Sequence, residues 1–387
     1  MSEYQYYEFQ AIDRPLTAEE QEHMHSLSSR VELTPRQAIF TYSYGDFRGE
    51  PLEVLEHYFD ALLYIANWGT TQLAFRFPHG LIDRAAMEPY CIGDSIVVDT
   101  LDDHVLLNIC INEEEGKRWI EGEGELTTLL PLRDDLVRGD LRVLYLAWLK
   151  AAQLDDSSYF DADGQALFDD GVENDLSHIT EPPVPPNLQD LTPALRSFID
   201  LFEIDPDLVG FAATQSATQT APADQFAQWI TLLPAAERDD FLLRLVQGEP
   251  MIGVQLTRRL RELGAQTSAA PTASTAPRRT LKALQDGASE YKQQRVAQER
   301  AAAQQARQHY LEELARRESA AWEQVFALIE EKKARPYDEA VALLVDLRDL
   351  ATQQQKAHAF QARLQDIHQR FPTRHALIGR LHKAGLV

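Results

Sequence analysis

From Lys292 to Gln308 the chain is built almost wholly of Ala, Gln, Arg and Glu, with Val296 its one large apolar side chain. These residues favour helix, yet a helix without an apolar stripe has no face to bury. The long helix expected from Thr280 to about Lys333 is therefore a solvated arm, not part of a core. Regular apolar a and d positions are missing, so it is not expected to form a coiled coil. The chain must fold as pieces on either side of this arm.

Two further stretches set the expected boundaries. Residues 181–187 (EPPVPPN) read as a stiff polyproline spacer. Residues 265–277 are small, polar and uncharged, the composition of a flexible tether. The expected layout is an acidic α+β domain over 1–180, a proline-rich linker over 181–187 and a helical bundle over 188–263. A flexible linker over 264–279 and a helical arm with a C-terminal helical module over 280–387 complete it. A length of 387 residues suits two or three domains.

The fold class that follows is α+β: a mixed strand and helix domain, a small bundle, then the long helix with antiparallel helix pairs. Tyr4 to Ile12, Ala38 to Tyr44 and Gln72 to Phe77 alternate like strands, and Ser95 to Ile111 reads as a hairpin. Thr17 followed by Glu20 is a capping box that opens a helix to about Leu27. Leu52, Leu55, Phe59, Leu62, Leu63 and Ala66 are spaced for a helix from Pro51 to Trp68, and a second runs from about Arg133 to Ala152. Helical spacing also marks Leu191 to Glu203, Gln225 to Leu233, Val254 to Leu263, Tyr337 to Leu350 and Phe360 to Phe371, and Pro234 opens another helix.

Charge is divided unevenly. Residues 1–262 carry 18 Lys and Arg against 47 Asp and Glu, a balance of −29; residues 263–387 carry 19 against 14, a balance of +5. So negative a body repels phosphate, which argues against direct nucleic-acid binding by residues 1–263. No apolar run approaches the ~20 residues that span a bilayer, so no membrane association is expected. Residues 1–15 show no basic region followed by an apolar run, so no secretory leader is expected there. With two cysteines there is no disulfide framework, and a reducing cytoplasm fits.

Candidate chemistry is sparse. Asp94, with Glu115 and Lys117 some twenty residues on, echoes metal-dependent nucleases of the PD-(D/E)xK class, in which paired carboxylates hold magnesium and a lysine orients water. Gly93 stands where that motif has proline, and residues 115–117 read as a turn. Asp99, Asp102, Asp103 and His104 form a possible metal set at the hairpin tip, although adjacent carboxylates are ordinary turn chemistry. Cys91 and Cys110 sit in apolar surroundings and read as inert thiols. No phosphate-cradling loop, dinucleotide fingerprint or nucleophile elbow is present. No cofactor is expected.

Several stretches resemble an uncharacterised family of bacterial hypothetical proteins. They are Tyr6 to Leu16 (YYEFQAIDRPL), Gly45 to Gly49, Tyr58 to Ala61, Tyr64 to Gly69 (YIANWG) and Asp140 to Trp148 (DLRVLYLAW). Tyr337 to Val341 and Leu344 to Ala351 are similar to the end of the same family and to the tails of some SWIM zinc-finger proteins. The zinc ligands of a SWIM finger are absent. The resemblance carries over no catalytic residue; what it implies is a partner, in a DNA-associated complex, rather than a reaction.

The leading expectation is a non-catalytic adaptor or scaffold of a bacterial multi-component system. It would engage another protein through the C-terminal helices, with Arg348, Arg363, Arg370 and Arg374 as partner-binding candidates. The alternatives are the nuclease on Asp94, Glu115 and Lys117, and a regulatory domain that binds a small ligand.

Overall fold

The computed structural model describes residues 4–43, 45–101, 103–113, 125–154, 179–218, 226–248, 252–267 and 278–386. The chain is α+β, and it divides into two compact units, residues 1–292 and 293–387.

The first unit is organised by an antiparallel sheet of β1 (Gln5–Gln10), β2 (Glu32–Thr34), β3 (Gln37–Tyr42), β4 (Ala61–Ala66), β5 (Thr70–Pro78), β6 (Ile96–Thr100) and β7 (His104–Asn112). The strand order is β2-β3-β1-β4-β5-β7-β6. Alternation sends Tyr7, Phe9, Phe40, Leu62 and Ala74 to one face. There they pack with Met24 of α1 (Ala18–Leu27) and with Val54 and Leu55 of α2 (Pro51–Tyr58). The opposite face, with Leu63, Phe75, Leu107 and Ile109, carries the main core. Beside the short helix α3 (Arg84–Met87), that core takes in α4 (Glu125–Leu129), α5 (Pro131–Val137), α6 (Arg142–Leu154), α7 (Pro193–Leu201) and α8 (Pro206–Ala213). The capping box forms as expected, with Thr17 accepting from Glu20 N and Glu20 accepting from Thr17 N.

The helix expected over Pro51 to Trp68 is a helix and then a strand. It stops at Tyr58, and Ala61–Ala66 becomes β4 in the middle of the sheet. A strand buried on both faces reads as a continuous apolar run, which periodicity alone does not separate from a helix. Likewise Arg133 to Ala152 is broken where Gly139, at φ 83°, ends α5 in the left-handed region.

The proline-rich stretch 181–187 is not a spacer. Pro182 and Pro185 are buried, the Pro183 carbonyl accepts from the Tyr90 hydroxyl, and the Pro185 carbonyl accepts from the Ser216 hydroxyl. Nor is 188–263 a separate bundle, because α7 and α8 share the main core with the sheet. Three further helices do stand apart from that core: α9 (Phe226–Trp229), α10 (Ala235–Val246) and α11 (Ile252–Thr267). Residues 268–277 of the expected tether, and 155–178 of the acidic domain, lie outside the described residues.

The polar arm is α12 (Leu281–Arg316), which ends at Arg317 and not near Lys333. Its first turns belong to the first unit, where Leu281, Leu284 and Ala288 enter the main core. Its last turns belong to the second unit, with α13 (Glu318–Glu330), α14 (Ala334–Gln353), α15 (Ala357–Arg370) and α16 (His375–Lys383). That unit has its own core around Leu314, Trp322, Val325, Leu344, Phe360 and Leu364. Arg307 pairs with Asp346 at 2.6 Å and Asp349 at 2.7 Å, tying α12 to α14. Among the described residues, no helix is long and apolar enough to cross a membrane.

The β4–β5 turn shows how tightly local sequence is constrained. Gly69 has φ 111°, and a Cβ there would stand 1.8 Å from the Glu113 carbonyl oxygen. Both the backbone conformation and the contact exclude a side chain. Gly69→Ala is expected to cost more than about 2 kcal/mol of stability, read from the shift in a urea unfolding midpoint.

Candidate functional site

The polar residues of the sequence motifs are largely consumed within the fold. Glu8, fully buried, accepts from the Tyr6 hydroxyl, Gln37 Nε2 and Leu126 N. Asp13 receives both terminal nitrogens of Arg133 at 2.9 and 3.1 Å, while Arg133 Nε donates to the Arg76 carbonyl. Asp60 accepts from Ile12 N at 2.7 Å, Asp13 N at 2.9 Å and Arg76 Nη2 at 2.7 Å. Asn67 Oδ1 accepts from Tyr4 N, and Arg142 joins Asp140 to the carbonyls of Asn187 and Asp190. Arg76 Nε is buried without a hydrogen-bond partner. Two carboxylates locked against two guanidiniums have little freedom to exchange protons with a substrate.

The residues proposed for metal chemistry do not assemble. Asp94 is exposed in the turn before β6, and its expected companions Glu115 and Lys117 lie outside the described residues. Asp99 is exposed on β6, Asp103 is exposed in the following turn, and His104 begins β7 half-buried; Asp102 lies outside the described residues. Burial, with Arg76 nearby, holds the His104 imidazole below its ordinary range. Among the described residues no group of three His, Cys, Asp or Glu is placed to hold a metal ion. Burial pushes the Cys91 and Cys110 thiols up, away from the reactive thiolate.

The four candidate arginines of the second unit are engaged internally. Arg374 donates to the Ile329 carbonyl at 2.6 Å and the Tyr337 hydroxyl at 3.0 Å, and stacks over Phe371. Arg370 pairs with Asp366 and lies over Phe326. Arg348 pairs with Asp349. Arg363 lies over Trp322 and reaches Glu318 only at 3.5 Å. Of the four, Arg363 is the least committed.

The feature that sequence reasoning missed lies on α10. Its second half, FLLRLV, holds more apolar residues than one helix face can bury. The helix packs on α11, and the pair is fastened along polar edges by Arg259 with Glu237 at 2.6 Å and Arg244 with Gln255 at 2.8 Å. Trp229 of α9 closes the other side of α11 against Gly264, where a Cβ would stand 2.4 Å from the ring. Leu242, Leu243, Leu245 and Val246 remain exposed, at 52, 57, 55 and 85% of their surface. Beside them runs a groove of about 220 Å³ lined by Ile230, Leu233, Phe241, Leu242, Leu245 and Ile252, among others. Among the described residues Arg238 is the charged residue of that lining, and it stands 3.9 Å from Asp239. These four are the most exposed of the large apolar side chains among the described residues.

Compared with family models, with curated proteins and with solved structures, the chain matches none.

Asp60 gives a pH test of the internal network. Burial raises its carboxyl, but the Arg76 hydrogen bond, the Asp13 amide and the nearby Arg133 outweigh it, so the group is held below the usual carboxylate range. The stability it contributes is thus complete above the unfolded value of about 3.9 and is lost as pH falls through the folded value. Asp60→Asn, which leaves Arg76 without its counter-charge, is expected to cost about 3–5 kcal/mol at pH 7. Urea unfolding at pH 7 and at pH 3 should show the gap to wild type narrowing in acid.

Proposed function

We propose that the protein is a non-catalytic adaptor whose first unit takes an amphipathic segment of a partner protein in the groove beside α10. The observation that carries this reading is the run of four apolar side chains on α10, each more than half exposed. Leaving that surface in water is costly at roughly 25 cal/mol per Å², so a chain that keeps it exposed has a use for it. The groove is lined by aliphatic and aromatic groups, which suits the apolar face of a helix set at i, i+3, i+4 and i+7. Arg238 at its edge adds charge complementarity to a carboxylate flanking that face. The resemblance noted above, which implies a partner and no reaction, supports the same reading. The docking element is thereby moved from the C-terminal helices to the helical pair of residues 235–267.

A photocrosslinker placed at Leu243 of the full-length chain should capture a defined protein through one amphipathic segment. That segment, made as a peptide, should bind wild type saturably and bind Leu242→Asp/Val246→Asp at least about tenfold more weakly, since each substitution would bury an unpaired charge in the apolar contact. Arg238→Glu should weaken it further where the peptide carries its acid. Undiminished binding to the double variant would refute the groove. Sedimentation showing that the chain pairs with itself through Leu242 would assign the groove to a second copy and overturn the partner reading.

A further inference from the structure

Glycine inside a helix is a poor choice unless something demands it, because it is the weakest helix former after proline. Among the described residues five glycines stand within helices: Gly210 of α8, Gly253 and Gly264 of α11, Gly287 of α12 and Gly379 of α16. Three of them have a visible reason. Tyr291 lies over Gly210, Trp229 over Gly264 and Phe211 over Gly287, each ring so close that a Cβ would come under 3.0 Å from it. In this chain a bare stretch of helix backbone is a seat for an aromatic ring.

Gly253 has the same setting and no ring. A Cβ there would meet nothing within 4 Å, and its backbone is not in the left-handed region that glycine serves. Neither local conformation nor packing within the described chain asks for it. The residue is exposed, and it lines the α10 groove together with Ile230, Leu233, Phe241, Leu245 and Leu256. Gly264 follows it on α11 after about three turns of helix, so the two glycines share one face. Leu260, buried between them, lies on that face as well. The Gly264 end of the face is filled by Trp229 of α9, and the Gly253 end opens on the groove of about 220 Å³. That is below the ~300–1,000 Å³ usual for small-molecule sites, and it suits a side chain better than a whole ligand.

We infer that Gly253 is the seat for an aromatic side chain carried by the partner segment, laid on the α11 backbone as Trp229 is laid on Gly264. The seat rests on the partner groove proposed above and names which residue of the segment anchors in it. Phe241, Leu245 and Leu256 offer the ring an apolar lining, and the bare glycine offers close backbone approach to its face. Aromatic rings gain most from such an approach, because they bring a large rigid area at the cost of few torsions. A side chain at 253 and a ring seated there exclude each other. Arg238, in the same lining, favours a carboxylate near that ring.

Skatole, which is the tryptophan side chain as a free molecule, and methylcyclohexane test the seat without the partner. Each is titrated into the full-length chain and followed through the methyl resonances of its leucines and isoleucines. Skatole should shift the Leu245, Leu256 and Ile252 methyls saturably and bind more tightly than methylcyclohexane. Gly253→Leu should abolish those shifts, and Gly253→Ala should weaken skatole. Neither variant should lower the unfolding midpoint, because both residues are better helix formers and a Cβ at 253 displaces nothing; a glycine kept only for structure would lower it. Gly379→Ala, outside the groove lining, should leave skatole binding as in wild type. The segment captured at Leu243 should carry an aromatic residue whose replacement by alanine weakens binding at least about tenfold, as for a hot-spot anchor, and it should bind Gly253→Leu as weakly. Skatole shifts undiminished in Gly253→Leu, equal affinity for methylcyclohexane, or a captured segment that binds Gly253→Leu as tightly as wild type would each overturn the aromatic seat and leave the partner groove standing. Failure to capture any segment would overturn the partner groove, and the seat with it.

Discussion

The first unit depends on one buried ion pair between residues far apart in the chain. Glu181 is almost fully buried, and Arg279 grips it with Nη2 at 2.6 Å and Nε at 2.8 Å while the Tyr145 hydroxyl donates to the same carboxylate. Two buried ions repay their desolvation only when geometry is good and every remaining group is satisfied. Here Arg279 also reaches the Phe211 and Ala212 carbonyls and lies over the Phe211 ring. Backbone bonds on either side, Glu181 N to Arg279 O and Leu281 N to Ile179 O, extend the clasp. The start of α12 is thereby pinned to α6 and α8.

Charge in this unit builds structure, and hydrophobicity marks its contact surface. The motif carboxylates Glu8, Asp13, Asp60 and Asp140 are each held by donors inside the fold. What faces outward without a partner is aliphatic, on α10, with a single loosely paired arginine beside it.

Much of the architecture was legible because the relevant signals are local. The alternation in β1 and β5, the β6–β7 hairpin and the Thr17 capping box all appear as read, whereas the long helix stops at Arg316, short of the expected Lys333. Failures came where distant contacts decide. Leu62, Leu63 and Ile65 fit a helix by spacing, yet neighbouring strands on both sides claim them for β4. Prolines 182 to 186 have the composition of a spacer, but Glu181 and the carbonyls of Pro183 and Pro185 find partners elsewhere in the chain. The apolar excess of FLLRLV was available in the sequence and marks the groove.

The clasp has a topological consequence. The chain leaves the core after α8, near Ala217, whose carbonyl accepts from Asn187 N, and it is back at the core by Arg279, beside the last residues of α8. The chain therefore leaves the body just after α8, at a bond to Asn187, and rejoins it at the Phe211 and Ala212 carbonyls of α8. The cost of closing such a loop grows only with the logarithm of its length. Evolution can lengthen, shorten or exchange the excursion, helical pair included, with little penalty to the body that bears it. The α9–α11 segment is mounted like an interchangeable cartridge on the body that carries it.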